Sequence, residues 1–142
     1  TGFSDVSAYV TTLLASFEPR VENVAEFARV NRVLLLCTSS GVGLDIALGG
    51  LPFEESVVAR SSLFTFPPDV SLRTCSAEDL VVFKAFADRP KDWVDVEGIV
   101  LTRGERFDAE YVERWVREVV GADDPRRAKL QALLGRRTMQ AR

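Results

Sequence analysis

The chain has 142 residues, of which 46% are hydrophobic and 27% charged, and these values are typical of one globular domain. Its formal net charge of -3 argues against nucleic-acid binding by bulk electrostatics, and no apolar run reaches the roughly 18–20 residues that span a bilayer. Because the chain has no histidine, a Ser-His-Asp triad, histidine-based zinc and histidine acid-base catalysis are excluded.

The N-terminal sequence and the two cysteines indicate the cellular compartment of the protein. The sequence has no signal-peptide pattern, and Cys37 and Cys75 lack the spacing of a metal site. We therefore expect a cytoplasmic protein with two free thiols and no membrane contact. The sequence starts with Thr1 rather than methionine, so we expect that upstream residues are missing.

The first half of the chain predicts strands around one helix. Residues 5–10 alternate weakly between polar and apolar side chains, which indicates a strand. Pro19 suits the first turn of a helix that extends to about residue 30. Residues 32–38 are typical of a central strand, and a short turn joins them to a strand over residues 44–48. This connection predicts an antiparallel hairpin.

The stretch from residue 74 to residue 100 has the clearest helical pattern. Ser76 and Asp79 predict a capping box, and Leu80, Phe83 and Ala87 repeat at helical spacing behind it. The other expected elements are a helix over 53–60, strands over 64–66 and 70–74, a loop over 102–107, a helix over 109–120 capped by Asp108, and a last helix from 124 to about 134.

A proline separates two helices within this stretch. Pro90 ends the first helix and suits the first position of the second. Asp92 and Asp95 are three residues apart on the second helix, so they share a face. Lys84 of the first helix is expected to face the same region of space.

Strands followed by helices predict an α+β fold, with a mixed or antiparallel sheet flanked by helices and a helical C-terminal half. We expect a single domain over residues 1–142, made of a strand-rich core (1–75) and a helical part (76–142). The tail after Asp124 is basic and also carries leucines. It is either a solvated helix face or a contact for RNA, an acidic partner or a second subunit.

Two acids interrupt predicted strands. Asp45 lies among apolar residues of the strand over 44–48, and Asp5 lies in the strand over 5–10. A mid-strand acid costs stability unless it is exposed, paired or bound to a cation. Two such carboxylates could hold one Mg²⁺, which prefers oxygen ligands. The alternative for Asp45 is a solvated side chain on an edge strand.

Two motifs follow these acids, E-D-L-x-x-x-K over residues 78–84 and R-x-K-D-x-x-D over residues 89–95. Together with Asp5 and Asp45 they resemble minimal nucleotidyltransferases of the polymerase-beta superfamily. The closest group is the AbiEii-like branch known from toxin–antitoxin and abortive-infection systems. The resemblance covers roughly residues 1–120. It implies Mg²⁺-dependent transfer of a nucleotide from an NTP to a hydroxyl on RNA, a protein or a small molecule, and it makes an antitoxin one expected partner.

The resemblance also implies roles for individual residues. Asp5 would match the first metal-binding acid of a two-metal site and Asp45 the third. Ser7 stands where the family has its second acid, and Lys84 would reach the triphosphate as a point charge. The opposite wall of the same cleft would be formed by Arg89, Lys91, Asp92 and Asp95.

Two departures from the family pattern leave alternatives open. Ser7 is a poor metal ligand, and no glycine-rich phosphate motif precedes it. The chain could therefore be a catalytically degenerate nucleotidyltransferase fold that acts as a binding or regulatory module. A third reading is an unrelated α+β domain, in which Lys84 extends to solvent and the nearby charges form a structural network.

Overall fold

The structure, a computed structural model, describes residues 6–140, and side chains as far as residue 136. The chain divides into two compact units, Thr1–Glu54 and Glu55–Arg142. The α+β class is confirmed, with antiparallel strands and a helical C-terminal half. A single domain with a division at residue 75 stays a prediction. In the described part of the chain, no helix is long and apolar enough to span a membrane.

The first unit is a three-stranded antiparallel sheet packed against two helices. Its elements are α1 (Val6–Leu14), β1 (Glu18–Pro19), α2 (Val24–Asn31), β2 (Val33–Cys37) and β3 (Gly43–Ala47). The central strand is β2, as predicted, and it forms the predicted hairpin with β3. Successive side chains of a strand point to opposite faces, so Leu34 and Leu36 are both buried with Val10 and Ala28 of the helices.

The strand predicted over residues 5–10 is wrong for residues 6–10, which belong to α1. Val6, Val10 and Leu14 recur every four residues and lie in the core of the unit. Such spacing places side chains on one face of a helix, but even spacing also fits strand alternation. The sequence pattern was therefore ambiguous over so short a segment. Asp5 lies outside the described residues.

The helix predicted from Pro19 begins later than expected. Glu18 and Pro19 form the short strand β1, and the backbone N–H of Arg20 donates to the carbonyl oxygen of Leu35 at 3.0 Å. Asn23 has a left-handed backbone, with φ of 49°, before α2 begins. The pairing with β2 joins residues far apart in sequence, so local helix signals could not reveal it.

The second unit is a β-hairpin and a group of packed helices. Its elements are α3 (Pro52–Arg60), which contains the boundary with the first unit, β4 (Ser62–Phe66), β5 (Val70–Thr74), α4 (Ala77–Ala87), α5 (Pro90–Arg103), a 3₁₀ turn (Gly104–Arg106), α6 (Ala109–Val120) and α7 (Pro125–Gln140). Helix α4 packs against α5 and α6, and α6 packs against α7. The buried apolar side chains of these helices include Val81, Val82, Ala85, Trp93, Val96, Val100, Val112, Val116 and Leu130.

The predicted start of α4 is confirmed, but its buried face differs from the prediction. Ser76 caps the helix: its hydroxyl accepts from the backbone N–H of Asp79 at 3.0 Å, and the Asp79 carboxylate accepts from the Ser76 N–H. Val81 is fully buried, whereas Leu80 of the predicted stripe is 38% exposed. Because residues 80–83 are all apolar, periodicity could not identify the inner face.

The segment after α4 follows the sequence-based boundaries closely. Pro90 stands at the first turn of α5 as predicted. The helix then continues to Arg103, so the loop expected from residue 102 is shorter and contains the 3₁₀ turn. Helix α6 begins at Ala109 as predicted, and the carboxylate of Asp108 accepts from the backbone N–H of Tyr111 at 2.9 Å.

Candidate functional site

Asp45 lies in the middle of β3, opposite Leu35 of β2. Its neighbours Leu44 and Ile46 pack toward the core of the first unit. Alternation therefore turns the Asp45 carboxylate to the other face of the sheet, where its side chain is 69% exposed. The strand fixes the backbone that carries this carboxylate, and β3 lies at the edge of the sheet.

Arg20 forms an ion pair with Asp45 across the sheet. The backbone of Arg20 is fixed by its hydrogen bond to Leu35, next to β1. Gly43 lies two residues before Asp45, so both share one face of β3. A Cβ atom at Gly43 would lie 3.3 Å from Nη1 of Arg20. The missing side chain at Gly43 thus lets the guanidinium lie against the strand beside Asp45.

Sequence reasoning did not identify Arg20 as a partner of Asp45. The two residues are 25 positions apart, and the contact depends on the pairing of β1 with β2. A glycine two positions before a mid-strand acid was the one local signal in the sequence. It indicates that another group approaches the backbone closely at that face.

A second group of charges lies in the second unit, where α4 meets α5. Nζ of Lys84 donates to Oδ2 of Asp95 at 2.5 Å and lies 3.6 Å from Oδ1 of Asp92. Nε of Arg89 donates to Oδ2 of Asp92 at 2.6 Å. The structure thus brings together Lys84 and the two acids that the sequence expected to face it. Lys91 is exposed on α5.

Each charge in this group stabilises another. The hydrogen bond to Asp95 raises the pKa of Lys84, and burial opposes this shift. The hydrogen bond from Arg89 lowers the pKa of Asp92, whose side chain is almost fully buried. These shifts favour the charged forms of Lys84 and Asp92, and the formal charges of the two bases and two acids cancel. This balance fits the structural network that the sequence left as an alternative role for these residues.

A third group surrounds Asp79, which is completely buried at the start of α4. Its carboxylate accepts from the hydroxyl of Tyr111 at 2.7 Å and from the hydroxyl of Ser76 at 2.9 Å. Arg60 completes the group with an ion pair to Asp79, and its guanidinium carbon lies 4.2 Å from the centroid of the Tyr111 ring. This group links the end of α3 to α4 and α6.

The pKa values in this group follow from burial and hydrogen bonding. Burial pushes the pKa of Asp79 upward, but hydrogen bonds from Tyr111, Arg60 and Ser76 outweigh it and lower the pKa. Burial and the hydrogen bond to Asp79 raise the pKa of Tyr111 well above its usual range. Asp79 is therefore a buried carboxylate and Tyr111 a neutral donor to it.

The fit of Mg²⁺ to this chain depends on Asp45. Among residues 6–136, no group of three or more Asp, Glu, His or Cys side chains could hold a metal ion. Mg²⁺ often takes only one or two protein carboxylates, with water and substrate phosphates as its other ligands. Asp45 could supply one such carboxylate only if its ion pair with Arg20 were broken. Asp5, the other predicted metal ligand, lies outside the described residues.

The remaining predicted site residues lie on separate elements. Ser7 is in helix α1, where its carbonyl oxygen accepts from the hydroxyl of Thr11 at 2.9 Å. The prediction that Ser7 lies in a strand is therefore wrong. Asp45 belongs to the first unit and Lys84 to the second. That these two residues and Asp5 share one cleft stays a prediction.

No protein-family model matches the chain, and no curated protein is significantly similar to it. The resemblance to AbiEii-like nucleotidyltransferases therefore depends on the motifs over residues 78–95 and on the acids before them. It stays a prediction.

Proposed function

We propose that the chain is a nucleotidyltransferase-type domain that moves a nucleotide from an NTP to a hydroxyl of RNA, a protein or a small molecule. The observation that carries the proposal is the position of Asp45. The edge strand β3 holds its carboxylate on the exposed face of the sheet. Acids on rigid strands position metal ions more accurately than acids on loops. The reaction class, nucleotide transfer, comes from the motifs that resemble this family.

In this proposal, Asp45 supplies one oxygen ligand to the Mg²⁺ that accompanies the NTP. Bound Mg²⁺ neutralises charge on the phosphates and lowers the pKa of the attacking hydroxyl. Asp5 is the further acid that the resemblance implies. The chain's own contribution from β3 would be one carboxylate ligand for the ion.

The corner between α4 and α5 receives a stabilising role in this proposal. Lys84 already donates to Asp95 and lies close to Asp92, so contact with a triphosphate would require loss of these ion pairs. The matched charges favour the structural alternative.

A second candidate is a module that binds nucleotide or regulates a partner without transferring a nucleotide. Two observations favour it. Asp45 is paired with Arg20, which neutralises the charge that would attract a metal ion. Ser7, at the position of the family's second acid, lies on a helix and cannot extend a strand-based acid pair.

Thermal unfolding with Mg²⁺ and each of the four NTPs tests the proposal. A ligand that binds the folded state at about 100 times its dissociation constant stabilises it by about 2.7 kcal/mol, which raises the melting temperature measurably. We expect this rise in the wild type and its loss in Asp45→Asn. Glu18→Gln is the matched control, because Glu18 is an exposed acid on β1 of the same sheet.

The outcomes separate the candidates. A full rise in Asp45→Asn would remove Asp45 from the site, and no rise in the wild type with any NTP would refute both the enzyme and a nucleotide-binding module. Labelled NTPs incubated with RNA and cell extract then distinguish them. Transfer of label supports the enzyme, whereas Asp45-dependent binding without transfer supports the module.

A further inference from the structure

The hairpin formed by β4 and β5 has one apolar face, which we call the hairpin face. Its apolar members, which form two directly opposed pairs, are Phe64, Leu72, Phe66 and Val70. The opposite face of the hairpin is mostly polar and contains Leu63, Arg73, Thr65 and Ser71. Because side chains two residues apart in a strand point to the same side, this alternation is typical of a strand pair with one buried face.

The four apolar side chains of the hairpin face are nevertheless exposed. Phe64 and Leu72 are each 54% exposed, and the ring centroids of Phe64 and Phe66 lie 4.7 Å apart. Within the part of the chain that the structure describes, β4 and β5 pack closely on each other and on no helix. A two-stranded hairpin is marginally stable in water unless its apolar face packs on another layer. The hairpin face therefore lacks a covering layer among the described residues.

The charges of the hairpin fit a second copy of the same chain as the covering layer. The hairpin face is uncharged, since its other members, Ser62 and Thr74, are neutral, so two identical faces bring no like charges together. The hairpin's two charges lie at opposite ends. Asp69 is exposed in the turn, whereas Nη1 of Arg73 donates to the carbonyl oxygen of Ser61 at 3.0 Å, at the base. A twofold axis through the face places each turn beside the other copy's base, where opposite charges meet.

The size of the hairpin face sets the affinity that such a dimer can reach. Because a phenylalanine has about 150–250 Å² of surface, of which about half is exposed here, the four apolar side chains offer roughly 400 Å². Apolar patches of this size are often functional on soluble proteins. Two such faces bury less than the about 1,200 Å² of a standard interface, and smaller interfaces are weak and transient. We therefore expect a dissociation constant of about 10–100 μM.

We propose that the hairpin face is a homodimerisation surface, on which the same face of a second copy packs in the antiparallel direction. The two hairpins form the two layers of a small β-sandwich, about 10 Å apart. Phe64 and Leu72 lie at the centre of this interface, and Asp69 of each copy lies at the rim beside the base of the other hairpin. The proposal is independent of nucleotide transfer and holds for either candidate function.

Sedimentation velocity of the whole chain, at concentrations from about 5 to about 500 μM, measures the self-association. We expect the dissociation constant to rise by about tenfold or more in the double variant Phe64→Thr/Leu72→Thr, which removes the apolar centre of the interface. Threonine suits a strand and both positions are exposed, so the unit stays folded, which thermal unfolding verifies. Leu63→Thr is the matched control, because Leu63 is an exposed leucine on the opposite face of the same hairpin.

Two further measurements test the position and the direction of the contact. Amide hydrogen exchange of the wild type should slow over residues 62–74 as the protein concentration rises, and this test needs no variant. Asp69→Lys and Arg73→Asp should each weaken the dimer by about two- to fivefold, as expected for exposed charges. The combination of both reversals should restore the wild-type affinity, because opposite charges then meet again at each end.

Each contrary outcome overturns a stated part of the proposal. A wild type that stays monomeric up to about 500 μM rules out the homodimer. A dimer that persists in Phe64→Thr/Leu72→Thr, or weakens equally in Leu63→Thr, places the contact on another surface. Failure of the double charge reversal to restore affinity rules out the antiparallel arrangement. Phosphatidylcholine vesicles with and without phosphatidylglycerol form a separate arm. A monomeric wild type that binds them only with Phe64 and Leu72 intact assigns the hairpin face to a membrane surface instead.

Discussion

Replacement of Asp79 by asparagine should destabilise the second unit strongly. Asp79 is fully buried, and its carboxylate accepts from Tyr111 and Ser76 and pairs with Arg60. Asparagine keeps the shape of the side chain but removes the charge and directs an amide donor at groups that are themselves donors. The variant therefore removes the charged acceptor of the Tyr111 hydroxyl and of the Arg60 guanidinium.

The expected loss follows from the contacts with Tyr111 and Arg60. The part-buried hydroxyl of Tyr111 loses a charged acceptor, which costs about 1.5–3 kcal/mol. Arg60 is partly exposed and can be solvated by water, so its lost pairing adds only about 0–1 kcal/mol. Together these terms predict a fall of about 1.5–4 kcal/mol in the free energy of unfolding of this unit.

Urea unfolding followed by tryptophan fluorescence measures this loss in the intact chain. Both tryptophans, Trp93 and Trp115, lie in the second unit, so their signal reports its unfolding. At an m-value of about 1.5 kcal/mol/M, the midpoint should fall by roughly 1–3 M urea. Asp123→Asn is the control, because Asp123 is exposed. Equal midpoints for both variants would refute the role assigned to Asp79.

The same pair of proteins gives a pH dependence with a definite sign. The pKa of Asp79 is lowered in the folded protein, so its ionised form stabilises the fold above the pKa of the unfolded chain. This contribution is lost as the pH falls below about 4 and through the folded-state pKa. The difference between wild type and Asp79→Asn should therefore shrink with acidification from pH 7 toward pH 2. A constant difference would contradict the assignment.

The sequence predicted elements whose signals are local. The capping box of Ser76, the start of α5 at Pro90 and the Asp108 cap of α6 each depend on residues within three positions of one another. The contact of Lys84 with Asp95 was also predictable, because a short corner joins their two helices. In each case the geometry of residues close in sequence is enough to specify the contact, without long-range packing.

Contacts between distant residues were missed for one physical reason. Asp79 was identified only as a capping residue, although its partner Tyr111 lies 32 positions later. Arg20 and Asp45 meet only because β1 pairs with β2. Such pairings depend on how the elements pack against one another, and neither helix and strand propensity nor hydrophobic periodicity carries that information. Each missed partner, Tyr111 or Arg20, contacts an acid that the sequence had already indicated, Asp79 or Asp45.

Two further predictions concern ion pairs of the second unit. Hydrogen bonds from Arg126 hold the pKa of Asp124 at about 2, so an NMR titration should find its midpoint there, and Arg126→Gln should return it toward the usual value of about 3.9. A wild-type midpoint near the usual value would contradict the ion pair. Lys84→Met should lower the melting temperature more than Lys91→Met does, because Lys84 balances two acids and Lys91 is exposed. The folded Lys84→Met protein should also keep the wild-type affinity for nucleotide, since its ammonium is already engaged. Equal melting temperatures combined with lost nucleotide binding would instead assign Lys84 to the triphosphate.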